Sequence, residues 1–485
     1  MNAFDYFFEH TSTLEKPFLI GKEEINYNEL FGSCLNLADW LQTKVGQNRS
    51  IILLSVNNLF FLKTYLAIIK SGNTCIPLDP KIEYENFSYI YELTKPDLIF
   101  STRDVEKRLD LKSDISVFPD TLPVISTEIG NRTLDSHFDK ERCVEIIFTS
   151  GSTGKPKGVM ISHKNIIANT GSIVEYLKLS RNDVMLVVLP FYYCYGLSLL
   201  HTHLRAGGSI VFNNSFIFLG GVINNLLDYK CTGFAGVPTH FQILLRKSDS
   251  FKITKFRDLK YVTQAGGKLA PIFIDEFRES HPDISFIVMY GQTEATARLS
   301  WLPPWLYENK KGSMGKGIPG VELKVVNEKR EEIKPGETGE VIARGDNIMI
   351  GYFADDEGTK NAIRDGWLYT GDLGTVDEEG YIFLTARSKE IIKVGGKRIS
   401  PKEIEAVILQ IPEVVDCTIE GIEDQIQGEA LKATIVLRKG TLEKVTGEFI
   451  KQHCSKHLAL FKIPNVYELK DDLTISPTGK KIKKV

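Results

Sequence analysis

The chain has 485 residues, of which 42% are hydrophobic and 25% charged, and its formal net charge is -3. This length and composition exclude a disordered protein and predict a large core divided between more than one domain. The small negative charge gives no electrostatic reason to expect nucleic acid or an anionic membrane as a partner, so a small ligand is favoured.

Targeting signals and cysteine usage indicate the compartment. The amino terminus MNAFDYFFEH lacks the basic start and apolar core of a secretory signal. The most apolar long stretch, residues 51–70, is interrupted by Asn57, Asn58 and Lys63, which argues against a membrane span. The seven cysteines are scattered, with no Cys-X-X-Cys pair, as expected for packed thiols in a reducing environment. We therefore expect a cytoplasmic protein.

Short β-branched runs alternate with amphipathic segments through the first 300 residues. Residues 50–56 predict a strand followed by a helix at 59–72, and residues 144–149 and 183–190 predict further strands, each followed by a helical pattern. This alternation is typical of βα units and of parallel sheets covered by helices. One of these helices is predicted to begin after Ser162, a plausible N-cap.

His201 and His203 could supply two ligands to a metal ion. The two residues alternate as on one face of a strand, but no third ligand accompanies them. A zinc site is therefore not expected.

Beyond residue 320 the pattern changes to short strands and polar turns, which predicts a small β-rich subdomain. The order Ser400, Pro401, Lys402, Glu403 is that of a capping box and predicts the start of a helix. A strand at 431–437 and a helix at 444–458 follow. We predict an α/β protein with a large amino-terminal domain of helix-covered βα sheets, a small β-rich subdomain, and a small mobile α+β carboxyl-terminal domain.

The segment IIFTSGSTGKPKGVMISH at 146–163 predicts a phosphate-binding loop after a strand. Its glycines let the backbone approach a ligand closely, its hydroxyls can donate hydrogen bonds, and its lysines add positive charge. The candidate residues are Thr149, Ser150, Gly151, Ser152, Thr153, Gly154, Lys155 and Lys157. It is not a Walker loop, because Pro156 stands where Ser or Thr must follow the lysine. A Gly/Ser-rich surface hairpin is the alternative.

Five further segments accompany this loop: QAGGKLA at 264–270, YGQTEAT at 290–296, GWLYTGDLG at 366–374, ARSKEIIKVGGKRISPKEIE at 386–405 and SPTGKKIKK at 476–484. In this order and spacing they resemble the superfamily of adenylate-forming (AMP-binding) enzymes. That superfamily includes acyl- and aryl-CoA synthetases, peptide-synthetase adenylation domains and firefly luciferase. The resemblance covers nearly the whole chain.

The resemblance implies a two-step reaction. A carboxylate attacks the α-phosphorus of ATP, pyrophosphate leaves, and the acyl group of the acyl-adenylate then passes to the thiol of coenzyme A. It also implies an adenylate-forming domain at 1–386, a hinge at 387–390 and a lid domain at 391–485. The small carboxylic acid, ATP, Mg²⁺ and coenzyme A are the expected ligands.

The family positions assign roles to the motif residues. The loop at 149–157 would bind the β- and γ-phosphates, Glu294 would bind Mg²⁺, and Thr293 would donate to the α-phosphate. Asp372 would accept hydrogen bonds from the ribose hydroxyls. The other nucleotide-binding candidates are Gly266, Gly267, Tyr290, which would lie against adenine, Gly291, and Arg387, near the ribose.

The carboxyl-terminal residues would serve the two half-reactions. Lys480 matches the family lysine that bridges substrate carboxylate and α-phosphate, although it could also belong to a solvated basic tail. Lys389 occupies the hinge position. Gly395 and Gly396 would line a narrow path for a pantetheine arm.

Substrate identity is expected in the segments 189–198 and 234–241, where the pocket candidates are Tyr192, Tyr193, Gly236 and Val237. Many acyl- and aryl-CoA synthetases carry His where Tyr193 stands. No Asp lies between Leu189 and Leu200 to pair with a substrate ammonium, so an acid with an uncharged tail is favoured over an α-amino acid.

Alternatives stay open at this level. The phosphopantetheine of an acyl carrier protein presents the same arm as coenzyme A and could be the acceptor. A non-catalytic nucleotide-binding relative need not keep Lys480. A kinase is disfavoured because the Walker pair and the HRD and DFG strings are missing from the sequence.

Overall fold

The computed structural model describes residues 1–111, 114–121, 139–149, 155–424, 428–441 and 443–470. Its α-helices are α1 Ala3–Phe8, α2 Tyr27–Val45, α3 Leu59–Lys70, α4 Tyr84–Thr94, α5 Arg103–Leu109, α6 His163–Leu177, α7 Cys194–Ala206, α8 Leu219–Asp228, α9 Pro238–Lys247, α10 Asp249–Ile253, α11 Pro271–Ser280, α12 Asp356–Ala362, α13 Pro401–Ile408 and α14 Gly447–His457. Single 3₁₀ turns lie at Pro119–Thr121, Thr293–Ala295, Pro304–Leu306, Ser388–Glu390 and Leu460–Lys462.

The strands up to residue 317 are β1 Pro17–Ile20, β2 Ile25–Asn26, β3 Ser50–Leu54, β4 Thr74–Leu78, β5 Leu98–Phe100, β6 Ser116–Val117, β7 Cys143–Thr149, β8 Lys157–Ser162, β9 Val184–Val187, β10 Ser209–Phe212, β11 Gly233–Gly236, β12 Tyr261–Gln264, β13 Ser285–Tyr290, β14 Ser300–Leu302 and β15 Lys316–Gly317. The later strands are β16 Val321–Val326, β17 Gly339–Gly345, β18 Gly351–Tyr352, β19 Ile363–Arg364, β20 Trp367–Val376, β21 Ile382–Arg387, β22 Ile392–Val394, β23 Lys397–Ile399, β24 Val414–Asp424, β25 Gly428–Leu437 and β26 Val466–Lys470.

Two largely parallel sheets form the large domain. One has the strand order β15-β14-β13-β12-β11-β9-β10-β1-β2, with parallel pairs from β13 through to β1. The other has the order β18-β8-β7-β4-β3-β5-β6, with parallel pairs from β7 through to β6. The strands of these parallel stretches are mostly buried and alternate with helices along the chain, so the predicted βα architecture is confirmed.

Two smaller sheets follow. The order β16-β17-β20-β19, with β21 beside β20, forms the predicted β-rich subdomain. The order β23-β22-β25-β24, with β26 beside β25, carries α13 and α14 and forms the small α+β domain. The predicted α/β fold class with a large and a small domain is therefore confirmed, and the mobility of the small domain stays a prediction.

Helix α6 begins where the sequence predicts. The Ser162 hydroxyl oxygen accepts from the Asn165 amide nitrogen at 3.1 Å, and the Asn165 side chain accepts from the Ser162 amide at 2.8 Å. The Asn165 side-chain amide also donates to the carbonyls of Asp346 and Ile348. The cap therefore both starts the helix and ties it to the segment before β18.

Helix α13 also begins at the predicted place, but the capping box is wrong. The Ser400 hydroxyl donates to the Thr385 carbonyl at 2.6 Å instead of capping its own helix. The Glu403 carboxylate accepts from Lys462. The side chains of Ser400 and Glu403 thus bond to residues outside α13 instead of to the backbone at its start.

The expected strand-like alternation of His201 and His203 is also wrong, because both residues lie in α7. Residues two apart in a helix point in different directions. His203 Nδ1 lies 2.8 Å from the Leu199 carbonyl, and His201 Nε2 lies 2.6 Å from the Tyr65 hydroxyl. Among the described residues no cluster of three or more His, Cys, Asp or Glu could hold a metal.

A buried polar cluster joins β7 to α3 and α7. The Tyr65 hydroxyl donates to the Glu145 carboxylate, and His201 Nε2 lies 3.7 Å from that carboxylate. Burial raises the pKa of Glu145 to about 7 and lowers the pKa of His201 to about 3. The strand that leads into the predicted phosphate loop is thus anchored by groups that are uncharged in mildly acidic solution.

The small domain packs against the large one through Arg246 on α9. Its guanidinium donates to the carbonyls of Ile411, Pro412 and Val414 at 3.0, 2.5 and 3.3 Å, and also to the Glu276 carboxylate. The side chain is only 2% exposed. Each of the three guanidinium nitrogens of this buried cation therefore donates at least one hydrogen bond.

No helix in the described ranges is long and apolar enough to cross a membrane.

We predict a pH-dependent contribution of Glu145 to stability. Because the folded pKa is raised, the stabilisation is fully present below the unfolded pKa and is lost as the pH rises through about 7. Relative to Glu145→Gln, the wild-type unfolding free energy should fall by about 3 kcal/mol between about pH 5 and about pH 8, measured by denaturant unfolding.

The exposed Glu141 supplies the control. Glu141→Gln should follow the wild-type pH profile. A wild-type and Glu145→Gln difference that stays constant across this pH range would contradict the assignment.

Candidate active site

The tight turn at residues 290–297 organises the site. It follows β13, contains the 3₁₀ turn Thr293–Ala295 and ends with Thr296 and Ala297 at φ 62° and 151°. A Cβ atom built on Gly291 would lie 1.8 Å from the Ala297 carbonyl oxygen. Only glycine permits this approach, so the turn holds the side chains on either side of Gly291 in fixed directions.

Tyr290 leads to the first group of predicted residues. Its hydroxyl donates to one carboxylate oxygen of Asp372 at 2.6 Å, and Arg387 Nε donates to the other at 2.9 Å. Asp372 and Arg387 are directly opposed on β20 and β21. Burial and the neighbouring Asp372 carboxylate raise the pKa of Tyr290, so the phenol stays protonated and keeps donating. The structure thus brings these three predicted residues together.

Glu294 leads to the second group. It accepts from the Tyr352 hydroxyl at 2.9 Å. Lys157 Nζ lies 4.9 Å from the centre of the Tyr352 ring and 2.7 Å from Asp355 Oδ2. The hydrogen bond from Lys157 holds the pKa of Asp355 below its ordinary value. Glu294, predicted to bind Mg²⁺, and Lys157, predicted to bind phosphate, thus both contact Tyr352.

Strand pairing builds this second group. Tyr352 on β18 is opposite Val159 on β8, and Thr149 is opposite Lys157 where β7 and β8 diverge. Lys155 Nζ lies 5.3 Å from the centre of the Tyr89 ring. The predicted loop residues Ser150, Gly151, Ser152, Thr153 and Gly154 lie outside the described residues.

The predicted pocket segments meet at Gly266, which has φ 83°. A Cβ atom built there would lie 3.0 Å from Val237 Cγ1 and 3.4 Å from the Tyr193 hydroxyl oxygen. Cys194 Sγ lies 3.4 Å from the Thr293 hydroxyl, which links the amino terminus of α7 to the turn at 290–297. The structure therefore places Tyr193 and Val237 beside the glycine predicted for the nucleotide.

The other pocket candidates are less central. A Cβ atom built on Gly236 would lie 3.0 Å from the Phe241 ring, and one on Gly267 would lie 3.3 Å from Pro238, so both glycines allow close packing. Burial and the Asp79 carboxylate raise the pKa of Tyr192. Its hydroxyl is thus directed to Asp79 and not to Gly266.

The predicted hinge and lid residues follow β21 in the chain. Lys389 lies in the 3₁₀ turn Ser388–Glu390, directly after β21. Gly395 and Gly396 form the turn between β22 and β23, with φ 54° and 81°, and no atom of the described residues lies within 4 Å of a Cβ built on either of them. Lys480 lies outside the described residues.

Sequence reasoning missed Tyr352, Asp355 and Arg298. The first two reach the site only because β18 pairs with β8, which lies about 190 residues earlier in the chain. Arg298 directly follows the turn, and a lone arginine after a motif carries no sign of burial. Only its proximity to YGQTEAT could have drawn attention to it.

Glu294 meets the requirement for a magnesium site in part. Mg²⁺ is commonly bound by one or two carboxylates together with phosphate oxygens and water, not by a cage of protein ligands. A single carboxylate beside a lysine-containing loop suits a metal that shares its ligands with a polyphosphate. Tyr352 fixes the position of this carboxylate.

Comparison with known proteins gives matches along most of the chain. The family model described as AMP-binding enzyme matches residues 8–353, and that described as AMP-binding enzyme C-terminal domain matches residues 403–480. The chain is 31% identical to an oxalate–CoA ligase of Arabidopsis thaliana over 87% of this chain and 85% of that protein.

A 2-succinylbenzoate–CoA ligase of Bacillus pumilus is also 31% identical, over 80% of this chain and 79% of its own length. Among solved structures, ATP-bound MatB from Rhodopseudomonas palustris superposes with a TM-score of 0.87 and 25% identity. The match covers 99% of this chain and 97% of MatB.

Gly291→Ala should test the turn directly. Because the nearest atom is a backbone carbonyl, no side-chain movement can relieve the clash, and we expect a loss of about 3 kcal/mol or more in unfolding free energy. Denaturant unfolding measures it.

Gly220→Ala is the matched control, since Gly220 lies in α8 with no atom within 4 Å of an added Cβ. That variant should be as stable as the wild type or slightly more so. Equal stability of the two variants would contradict the turn's special role.

Proposed function

This chain belongs to the family of AMP-binding enzymes and is an AMP-forming acid–thiol ligase, and we propose that the site around residues 290–297 performs its acid activation. The observation that carries this assignment is one rigid turn with three connections. It holds Tyr290 on Asp372, Glu294 on Tyr352, and Thr293 against Cys194. Ribose, polyphosphate and acyl sites would then meet at the turn.

The first half-reaction forms a bond between a substrate carboxylate oxygen and the α-phosphorus of ATP. The bond from that phosphorus to the bridging oxygen breaks, and pyrophosphate leaves with the electron pair. Two anions must approach in line, so donors and cations have to offset their repulsion. Thr293 is buried next to Cys194, which suits a hydroxyl that donates to an α-phosphate oxygen.

Asp372 would receive the ribose. A carboxylate can accept about four hydrogen bonds, and Tyr290 and Arg387 use one on each oxygen. The remaining acceptor positions suit two ribose hydroxyls. The hydrogen bond from Arg387 orients the carboxylate for this task.

Lys157 and Glu294 would bind the polyphosphate end. Lys157 is balanced by Asp355, so a phosphate would compete with that carboxylate for the ammonium. Glu294 would hold Mg²⁺, which when bound supplies positive charge against the phosphate oxygens. The Tyr352 hydroxyl orients the Glu294 carboxylate toward this position.

The second half-reaction passes the acyl group to a thiol, with AMP as the leaving group. In our proposal Lys480 serves the first step, the segment 387–390 with Lys389 is the hinge of the lid, and Gly395 and Gly396 admit the pantetheine arm. Their turn is open and has no neighbouring atom within 4 Å of an added Cβ, which supports passage of a narrow chain. Coenzyme A is the proposed acceptor, and a carrier-protein phosphopantetheine is the alternative.

The proposed function is tested by exchange of labelled pyrophosphate into ATP with a panel of carboxylic acids, followed by addition of free coenzyme A. We expect acid-dependent exchange and a thioester product. Exchange without thioester on free coenzyme A would favour a carrier protein. If none of the acids supports exchange, the proposed activity is contradicted.

Lys480→Ala should abolish most of the exchange, by about 100-fold or more, because the bridging cation is lost. Thioester formation from supplied acyl-adenylate should change far less. Lys484→Ala, in the same basic tail, is the control and should leave both steps intact. Equal loss of both steps in Lys480→Ala would count against the bridging role.

Tyr352→Phe should raise the Mg²⁺ concentration needed for half-maximal exchange by about three- to tenfold, since about 1 kcal/mol of hydrogen bonding to Glu294 is removed. The exposed Tyr84 provides the control variant Tyr84→Phe. An unchanged Mg²⁺ requirement in Tyr352→Phe would show that the hydroxyl does not position Glu294.

A further inference from the structure

Arg298 is a buried cation that has no matching anion among the residues that the structure describes. Its residue is 2% exposed, and its guanidinium carbon lies 4.6 Å from the centre of the Tyr195 ring. Its Nε is fully buried and has no hydrogen-bond partner within the described part of the chain. In the same part of the chain no carboxylate forms an ion pair with this guanidinium.

Other buried cations of this chain are compensated. Arg246, equally buried, pairs with Glu276 and with three carbonyls. Lys70 pairs with Asp5 at 2.7 Å. A guanidinium does not lose its proton in proteins, and an uncompensated buried ion costs several kcal/mol. Because no described residue supplies a carboxylate to this guanidinium, an acidic ligand is a suitable source of the matching anion.

The neighbouring phenols do not supply this anion. Burial raises the pKa of Tyr195 and of Tyr176 even though Arg298 opposes the rise, so both side chains stay neutral. The Tyr195 hydroxyl lies 2.8 Å from the Thr263 hydroxyl, which fixes the ring beneath the guanidinium. The Tyr195 ring stabilises the Arg298 guanidinium by a cation–π contact, but a neutral ring does not neutralise the positive charge.

The position of Arg298 is fixed at the acyl side of the proposed site. Its carbonyl accepts from Asn169 at 3.2 Å and from Asn347 at 2.8 Å, so its backbone cannot move freely. Tyr195, which contacts its guanidinium, follows Cys194, and Cys194 contacts Thr293. Two consecutive residues of α7 therefore contact the guanidinium and the proposed α-phosphate donor.

We propose that the Arg298 guanidinium binds a second carboxylate of the acid, so that the substrate of this ligase is a dicarboxylic acid. One carboxylate would be activated beside Thr293, and the other would pair with the planar, bidentate donors of Arg298. This inference rests on the proposed function. The sequence predicts an acid with an uncharged tail, because no aspartate lies between Leu189 and Leu200 to pair with a substrate ammonium. A dicarboxylic acid would replace that prediction.

Matched acids test the inference on the wild-type enzyme. Pyrophosphate exchange is measured with malonate and propionate, succinate and butyrate, and glutarate and valerate, which differ within each pair by one carboxylate in place of a methyl group. In at least one pair, kcat/KM should favour the diacid by about 100-fold or more, because a site built for a charged partner rejects the analogue that lacks it.

Variants assign the preference to Arg298. Arg298→Met keeps the length and apolar stem, and we expect a higher KM for the diacid, a lower KM for the monoacid, and loss of the about 100-fold preference. Arg298→Lys should restore part of it. Arg278→Met, which removes a partly exposed arginine paired with Glu308, is the control and should keep the wild-type preference.

The outcomes separate the inference from the proposed function. Exchange that favours the monoacids, or a diacid preference retained by Arg298→Met, would overturn the inference while leaving the ligase assignment intact. Equal loss of activity toward both acids of a pair would mean that Arg298 is structural. No exchange with any acid would contradict the proposed function itself. If Arg298→Met does not fold, the wild-type pairs and Arg298→Lys decide.

Discussion

The contact between Gly291 and the Ala297 carbonyl is the constraint on which the site depends. It closes a turn so tightly that a single methyl group could not be added. From this turn Tyr290 reaches Asp372 and Glu294 reaches Tyr352. These partners come from a different sheet and from a strand at the edge of another. The turn therefore connects residues that belong to three different sheets.

Charge compensation distinguishes the parts of the site. Lys157 is paired with Asp355, and Asp372 with Arg387 and the Tyr290 hydroxyl, so the groups that we propose for nucleotide binding are held in place by partners within the chain. Such pairs can rearrange when phosphate or ribose arrives, at a modest cost in free energy. The Arg298 guanidinium beyond the turn has no carboxylate partner among the described residues, and in our proposal the substrate supplies one. Under that proposal, nucleotide binding and acid selection use opposite electrostatic arrangements.

Local chemistry explains what the sequence could predict. The start of α6 follows from Ser162 and Asn165, whose side chains and backbone bond within one turn. The motif residues were found because their order and spacing resemble a family. The capping box at Ser400 failed because the Thr385 carbonyl takes the serine hydroxyl, a contact made by tertiary packing. Asp355 and Tyr352 were missed for the same reason, since strand pairing over long sequence separations leaves no local signal.

A crystal structure of the protein with bound AMP would test the central claim that the turn at 290–297 joins the nucleotide and acyl sites. We predict that the ribose hydroxyls lie within hydrogen-bonding distance of the Asp372 carboxylate and that a phosphate oxygen contacts the Thr293 hydroxyl. The bond from Tyr290 to Asp372 should persist. AMP bound away from Asp372, or with its phosphate remote from Thr293, would contradict this account.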